Sequence, residues 1–205
     1  MKRLAVSILS ITLALGACAP NKKVTRTEAG STEGGDLSGY WNDIDAEQTA
    51  TAMVQQCLNE SPWVSNHQEQ NSGSKPIVKL MGVIKRTDDR NVNEKFFAKQ
   101  LERSLLNSGR VRVVAAYEQQ DINVAERARQ AVHAGDETAK SQGNEVGSDY
   151  TLQTWVNSQN ESDGGGKSVR AYLINMELVN VETNEKVWIG EKKIRKVVDQ
   201  AGTTW

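Results

Sequence analysis

Ile77-Val78-Lys79-Leu80-Met81-Gly82-Val83-Ile84 is apolar at every position but Lys79 and Gly82, and polar stretches bound it at residues 67–74 and 88–93. A short apolar run between such boundaries, entered through Pro76, predicts a strand in the interior of a sheet. Downstream, Phe97, Leu101 and Leu105 recur at helical spacing with Phe96 and Ala98 beside them. They predict a helix that Asn107-Ser108-Gly109 ends, because glycine readily takes the left-handed conformation that closes a last turn. Residues 110–116 return to β-rich sequence. Strand, helix and strand within about forty residues is the pattern of a crossover unit, right-handed with its two strands parallel.

Working outward toward the C-terminus, residues 118–133 predict a helix with few apolar positions (Ile122, Ala125, Ala128, Val132), so it covers an edge or lies largely exposed. Asp136 is expected to start a short helix through Ala139 and Gln142. Gly143 and Gly147 then suit a turn into a strand over 150–156. Residues 160–168 read as a glycine-rich hairpin tip, and 169–181 as a long strand. There Tyr172, Ile174, Met176 and Leu178 alternate against Ala171, Asn175, Glu177 and Val179, giving one packed and one more polar face. Glu182-Thr183-Asn184-Glu185 turns the chain into a partner strand over 186–194, where Val187, Trp188 and Ile189 supply bulk, and from Lys196 to Trp205 the end reads as frayed.

Toward the N-terminus, Leu37-Ser38-Gly39-Tyr40-Trp41-Asn42-Asp43 is an apolar-aromatic knot. Asp45 with Gln48 three residues on has the form of a capping box, and predicts a helix running to about Glu60, stopped by Ser61-Pro62. Trp63 and Val64 tuck back on the domain, and residues 67–74 form a polar loop. The fold class is α/β: a single mixed β-sheet of about five strands with flanking helices.

The first residues decide where this body works. Lys2-Arg3 precede an apolar run over 4–15 that is too short to span a ~30 Å hydrocarbon core. Leu15-Gly16-Ala17-Cys18 resembles the lipobox of bacterial lipoproteins. The resemblance implies cleavage before Cys18, a diacylglyceryl thioether on its sulfur and acylation of its amine; two or three chains hold far better than one. Ala19, rather than an aspartate, implies sorting to the outer membrane with the body in the periplasm. The expected organisation is a signal peptide over 1–17, a lipidated disordered tether over 18–37, a globular domain over 38–198 and a frayed tail over 199–205. The tether spans ~70 Å fully stretched and ~25 Å as a relaxed coil.

Composition narrows the chemistry. Removing Lys2 and Arg3 from the 25 basic residues leaves 23 against 26 acidic, a balance with no pull toward nucleic acid. Cleavage after 17 of the 205 residues leaves 188, enough for one well-cored domain. With Cys18 lipidated, Cys57 has no intramolecular disulfide partner, and its place beside Ala50, Met53, Val54 and Leu58 on one helical face makes it a small buried hydrophobe. Gly164-Gly165-Gly166-Lys167-Ser168 has the end of a phosphate-binding loop, but Glu161 occupies the position of the earlier glycine and a strand follows where a helix is needed. His67 in a loop and His133 near a helix end are peripheral, and neither metal ligation nor a nucleophile with its base is expected. Asp43, Asp45, Asp88 and Asp89 read as caps beside turns. Lys192, Lys193, Arg195 and Lys196 read as a solvated strand face, with an anionic partner patch as the rival reading. Tyr40, Trp41 and Trp63 read as core closure. No cofactor, metal or catalytic residue is expected.

The knot at 37–43, Lys75-Pro76-Ile77-Val78 with Gly82-Val83-Ile84, Leu101-Glu102-Arg103-Ser104-Leu105-Leu106-Asn107-Ser108-Gly109, the segment 143–152 and Val181-Glu182-Thr183-Asn184-Glu185-Lys186-Val187-Trp188 together resemble the LpoB family of outer-membrane lipoproteins. The resemblance covers nearly the whole mature domain. It implies a fold similar to the N-terminal domain of TolB and a non-enzymatic role: binding a bifunctional class A penicillin-binding protein and stimulating its peptidoglycan synthesis. No partner-contacting residue follows from these motifs. An export component like the CsgG lipoproteins would need extra amphipathic strands to build a barrel, and the chain has one long hairpin and no spare pair. A structural lipoprotein with a different partner is the other alternative, and a periplasmic enzyme lacks a constellation.

Overall fold

A computed structural model describes residues 38–141 and 143–199. The elements run α1 (Asp43–Asn59), α2 (Trp63–Gln70), β1 (Ile77–Arg86), α3 (Glu94–Asn107), β2 (Arg112–Val114), α4 (Tyr117–His133), β3 (Tyr150–Ser162), β4 (Lys167–Asn180) and β5 (Lys186–Asp199). They build one mixed five-stranded sheet in the order β2-β1-β3-β4-β5. As the crossover predicts, β1 pairs parallel with β2, and it pairs parallel with β3 on its other side. Strands β3, β4 and β5 are antiparallel neighbours.

Alternation along the strands puts the core on one face. Tyr150, Leu152, Thr154 and Val156 of β3 and Tyr172, Ile174, Met176 and Leu178 of β4 are buried there. Phe97, Leu101 and Leu105 of α3 and Met53, Val54 and Cys57 of α1 are buried in the same cluster. Each large apolar side chain so enclosed contributes about 1.5–3 kcal/mol. In β1 the register slips between Leu80 and Val83, so Met81 and Gly82 together oppose Gln153. Gly82 takes φ +88°, the left-handed region that a bulge of this kind asks for. The bulge lets Leu80 and Val83, three residues apart, both pack on the core, and it leaves Met81 and Ile84 exposed.

The opposite face of the sheet is largely open. Register sets its rows: Ile84, Trp155, Asn175 and Glu191 lie side by side, and then Arg86, Asn157, Leu173 and Lys193. Helix α4 buries none of its residues, in line with its thin apolar pattern. It is held at its start by Lys79, whose Nζ donates to Gln120 Oε1 at 3.0 Å and lies 3.7 Å from the centre of the Tyr117 ring.

Several local expectations are corrected. Helix α1 begins at Asp43, capped by Asn42: its side chain accepts from the Asp45 amide while Asp45 accepts from the Asn42 amide, so Asp45 closes the capping box instead of opening it. Residues 67–70 are helical, because the chain restarts a helix directly after Pro62. Residues 136–138 make a single turn, closed by the Thr138 and Ala139 amides donating to the Gly135 carbonyl, with no apolar stripe to extend it; Gln142 lies outside the described residues. The hairpin tip shrinks to 163–166, since Asn160, Glu161 and Ser162 pair with Arg170, Val169 and Ser168. Strand β5 continues through Lys196 to Asp199, with no fraying at that point, because β4 offers partners up to Lys167.

Candidate functional site

The polar interactions of longest reach gather where residues 38–42 meet the sheet. Trp41 is buried edge-on between Phe97 and Tyr172, with ring centres at 5.6 and 5.3 Å. Its amide donates to Asp89 Oδ2 and to the Tyr172 hydroxyl, both at 2.9 Å. Tyr172 itself donates to Asp89, and Arg170 Nη1 stands 3.8 Å from the same carboxylate. Burial raises the Asp89 pKa, but the hydrogen bonds from Tyr172, Trp41 and Asn91 and the Arg170 charge outweigh it, so the carboxyl sits below its ordinary value. The Tyr172 hydroxyl is pushed the other way, by burial first and then by the hydrogen bond to Asp89.

Around this centre the outer contacts hold the chain entry. Arg170 lies over the Tyr40 ring at 4.3 Å. Lys196 Nζ donates to the Tyr40 carbonyl at 3.0 Å and pairs with Asp45 at 2.6 Å. Gly39 runs so close to Val198 that a Cβ there would stand 2.3 Å from Val198 Cγ2. The aromatic knot is therefore a clamp: it fixes the point at which residues 1–37, outside the described part, join the body.

Most of the residues singled out from sequence have structural roles. Asp89 is the centre of the clamp rather than a simple turn cap. Lys196, read as part of a solvated face, is largely enclosed against Asp45, whereas Lys193 and Arg195 are exposed. Of the aromatic group, Trp41 and Trp63 are buried and Tyr40 is exposed. His67 is not peripheral: it is buried, with Nδ1 3.3 Å from the Tyr150 hydroxyl and Nε2 3.6 Å from Asp149, which also accepts from the Ile77 amide. Cys57 is buried, its thiol pushed up to about 12 by desolvation, against a weaker opposing contact with Trp63. Trp63 Nε1 donates to the Cys57 carbonyl at 2.7 Å. Cys18 lies outside the described residues.

Chemically the arrangement holds and positions. Gly164 and Gly166 turn a hairpin in which Asp163 accepts from the Gly165 and Lys167 amides, so those amides are engaged by a carboxylate of the loop itself. Among the described residues, no three His, Cys, Asp or Glu side chains gather where they could hold a metal ion. Sequence reasoning missed Arg170 and the hydroxyl of Tyr172. The one available signal was a tyrosine and an arginine on a strand face otherwise read only for packing.

A model of the family described as peptidoglycan-synthase activator LpoB matches residues 45–194. Among solved structures, the LpoB C-terminal domain from Salmonella enterica is 20% identical over 66% of this chain and 96% of that one, with a TM-score of 0.37. The corresponding Escherichia coli domain is 21% identical over 68% and 94%, with a TM-score of 0.35. A lipoprotein from Neisseria meningitidis is 13% identical over 62% and 88%, with a TM-score of 0.39. Comparison with curated proteins finds no match. The family match runs from the first turn of α1 through α2, α3 and β1 to β4 into β5 as far as Ile194, and the chain belongs to the LpoB family of peptidoglycan-synthase activators.

Proposed function

We propose that this protein is an outer-membrane lipoprotein, anchored through Cys18, whose periplasmic body binds a bifunctional class A penicillin-binding protein and stimulates its glycan polymerisation and crosslinking. The family match over residues 45–194 carries this reading. The lipobox-like Leu15-Gly16-Ala17-Cys18 supports the anchor. Among the described residues no helix is long and apolar enough to cross a membrane.

The activator works by affinity difference. Binding the active state of the synthase more tightly than its resting state shifts the population, and a tenfold preference is worth about 1.4 kcal/mol. The clamp at Trp41 makes such a preference usable, because residues beyond it are rigidly joined to the body and only the preceding segment needs to reach. The test is the polymerisation rate of the organism's own class A synthase on lipid-linked precursor, with the mature full chain added in detergent. The rate is expected to rise and the two proteins to co-purify; an unchanged rate with no co-purification overturns the reading.

A further inference from the structure

The open face of the sheet has a construction that the core does not require. Between β3 and β5 it forms a shallow trough of about 500 Å³ running along β4. Val169, Ala171 and Leu173 make its floor, and their register neighbours make its walls. On the β3 side stand the amides Asn157 and Gln159 and, at the end away from Trp155, the Glu161 carboxylate; on the β5 side stand the cations Lys193 and Arg195. One row further along β3, on the same face, lies half-buried Trp155, with the Arg86 guanidinium 6.0 Å from its ring centre.

The charges on this face are unequally satisfied. Glu191 is taken up by Lys193 at 2.9 Å and Asn175 at 3.3 Å, and Glu177 by Lys186 at 2.8 Å. Arg195 and Arg86 have no carboxylate within ion-pair distance among the described residues. An aromatic ring with the Arg86 guanidinium beside it, a line of amides and a second guanidinium, Arg195, neither of the two paired to a carboxylate, suit a ligand with apolar ring faces, amide groups and carboxylates. A protein partner would instead favour a broad apolar, desolvated centre, and here a single file of Val169, Ala171 and Leu173 lies between walls of amides and charges.

We propose that this trough binds the wall polymer itself, an N-acetylated amino-sugar chain whose peptide branches end in carboxylates. A sugar ring stacks on Trp155, acetamido groups bond to Asn157 and Gln159, and branch carboxylates pair with Arg195 and Arg86. The inference rests on the proposed function only in placing the body at the wall. It gives the protein a hold on the product as well as on the enzyme.

The experiment is co-sedimentation of the mature full chain, in detergent, with purified protein-free sacculi, alongside capture on beads carrying the peptide-free glycan strands that an amidase releases from those sacculi, and on beads carrying the synthase. The wild type is expected to sediment saturably with intact sacculi. Lys193→Glu with Arg195→Glu is expected to weaken that binding about tenfold or more, equivalent to about 1.4 kcal/mol, and Trp155→Ala to weaken it severalfold. Arg103→Glu, on the helical side, changes nothing, and stripping the peptides removes the difference between wild type and the double variant. Unchanged thermal midpoints show that the variants remain folded. No sedimentation of the wild type, equal sedimentation of all variants, or a charge effect that survives peptide removal overturns the proposal. So does loss of synthase capture by the double variant without any sacculus binding, which makes the face a protein contact. Absent sacculus binding with synthase stimulation intact sinks this inference alone; the reverse sinks the activator reading alone.

Discussion

The hydroxyl of Tyr172 donates to the carboxylate of Asp89, and the amide of Trp41 donates to both of them. Three segments far apart in sequence thus share one buried polar centre, each member of which leaves another unsatisfied if removed. Tyr172→Phe deletes one donor and one acceptor at once and is expected to cost about 1–3 kcal/mol, read as a lowered denaturant midpoint. Hydrogen exchange at the Trp41 amide should accelerate more than at the α3 core. Equal acceleration everywhere would show that the clamp has no local role.

The same centre sets a pH dependence. Because the folded state holds Asp89 below its ordinary value, its stabilising contribution is complete above the unfolded value of about 3.9 and is lost as pH falls through the lower folded one. Acid unfolding below about pH 4 should therefore be shallower in Asp89→Asn than in the wild type, although the variant is less stable at pH 7. Parallel acid profiles would remove Asp89 from the account.

Gly190 and Trp188 share the inner face of β5, and a Cβ on Gly190 would stand 2.2 Å from Trp188 Cζ2. A rigid, nearly buried indole has nowhere to retreat. Gly190→Ala is expected to cost about 1–3 kcal/mol by overpacking. Adding Trp188→Leu should cost less in the Gly190→Ala background than alone, a coupling measured by a double-mutant cycle on thermal or urea midpoints.

The elements governed by periodicity were legible in the sequence; those governed by distant partners were not. The alternation of Tyr172, Ile174, Met176 and Leu178 marks the face of β4, and the run from Ile77 marks an interior strand with a parallel partner across α3. Asp45 reads as the cap because Asn42, three residues earlier, is an equally good one, and it is the Asn42 amide donating to Asp45, with Lys196 beside it, that shows Asp45 in its other role. His67 reads as a polar loop residue until Tyr150 and Asp149, more than eighty positions away, are brought beside it. Lys196 and the end of β5 looked frayed for the same reason: their order comes from β4 and from the Tyr40 carbonyl, not from local sequence.

Thr154 faces the core from β3 between Val83 and Met176, fully buried, and its hydroxyl has no partner. Replacing it with a methyl of the same shape removes that desolvation cost and suits a strand. Thr154→Val is expected to stabilise the fold by about 1 kcal/mol, raising the urea midpoint without changing the m-value. A loss of stability would mean that the hydroxyl is satisfied in solution.

Thiol counting joins the anchor to the core. Burial pushes the Cys57 thiol up to about 12, so at pH 8 it is almost wholly protonated and should resist a maleimide until the domain opens. If Cys18 carries a thioether, the native membrane-extracted protein should show no reactive thiol, and the same protein in strong denaturant should show one. Two thiols in denaturant would mean an unmodified Cys18 and no lipid anchor. One thiol already reactive in the native state would mean that the α1 face opens readily. Cys18→Ala should leave the denatured count at one while releasing the protein from membranes, which separates the two cysteines in a single preparation.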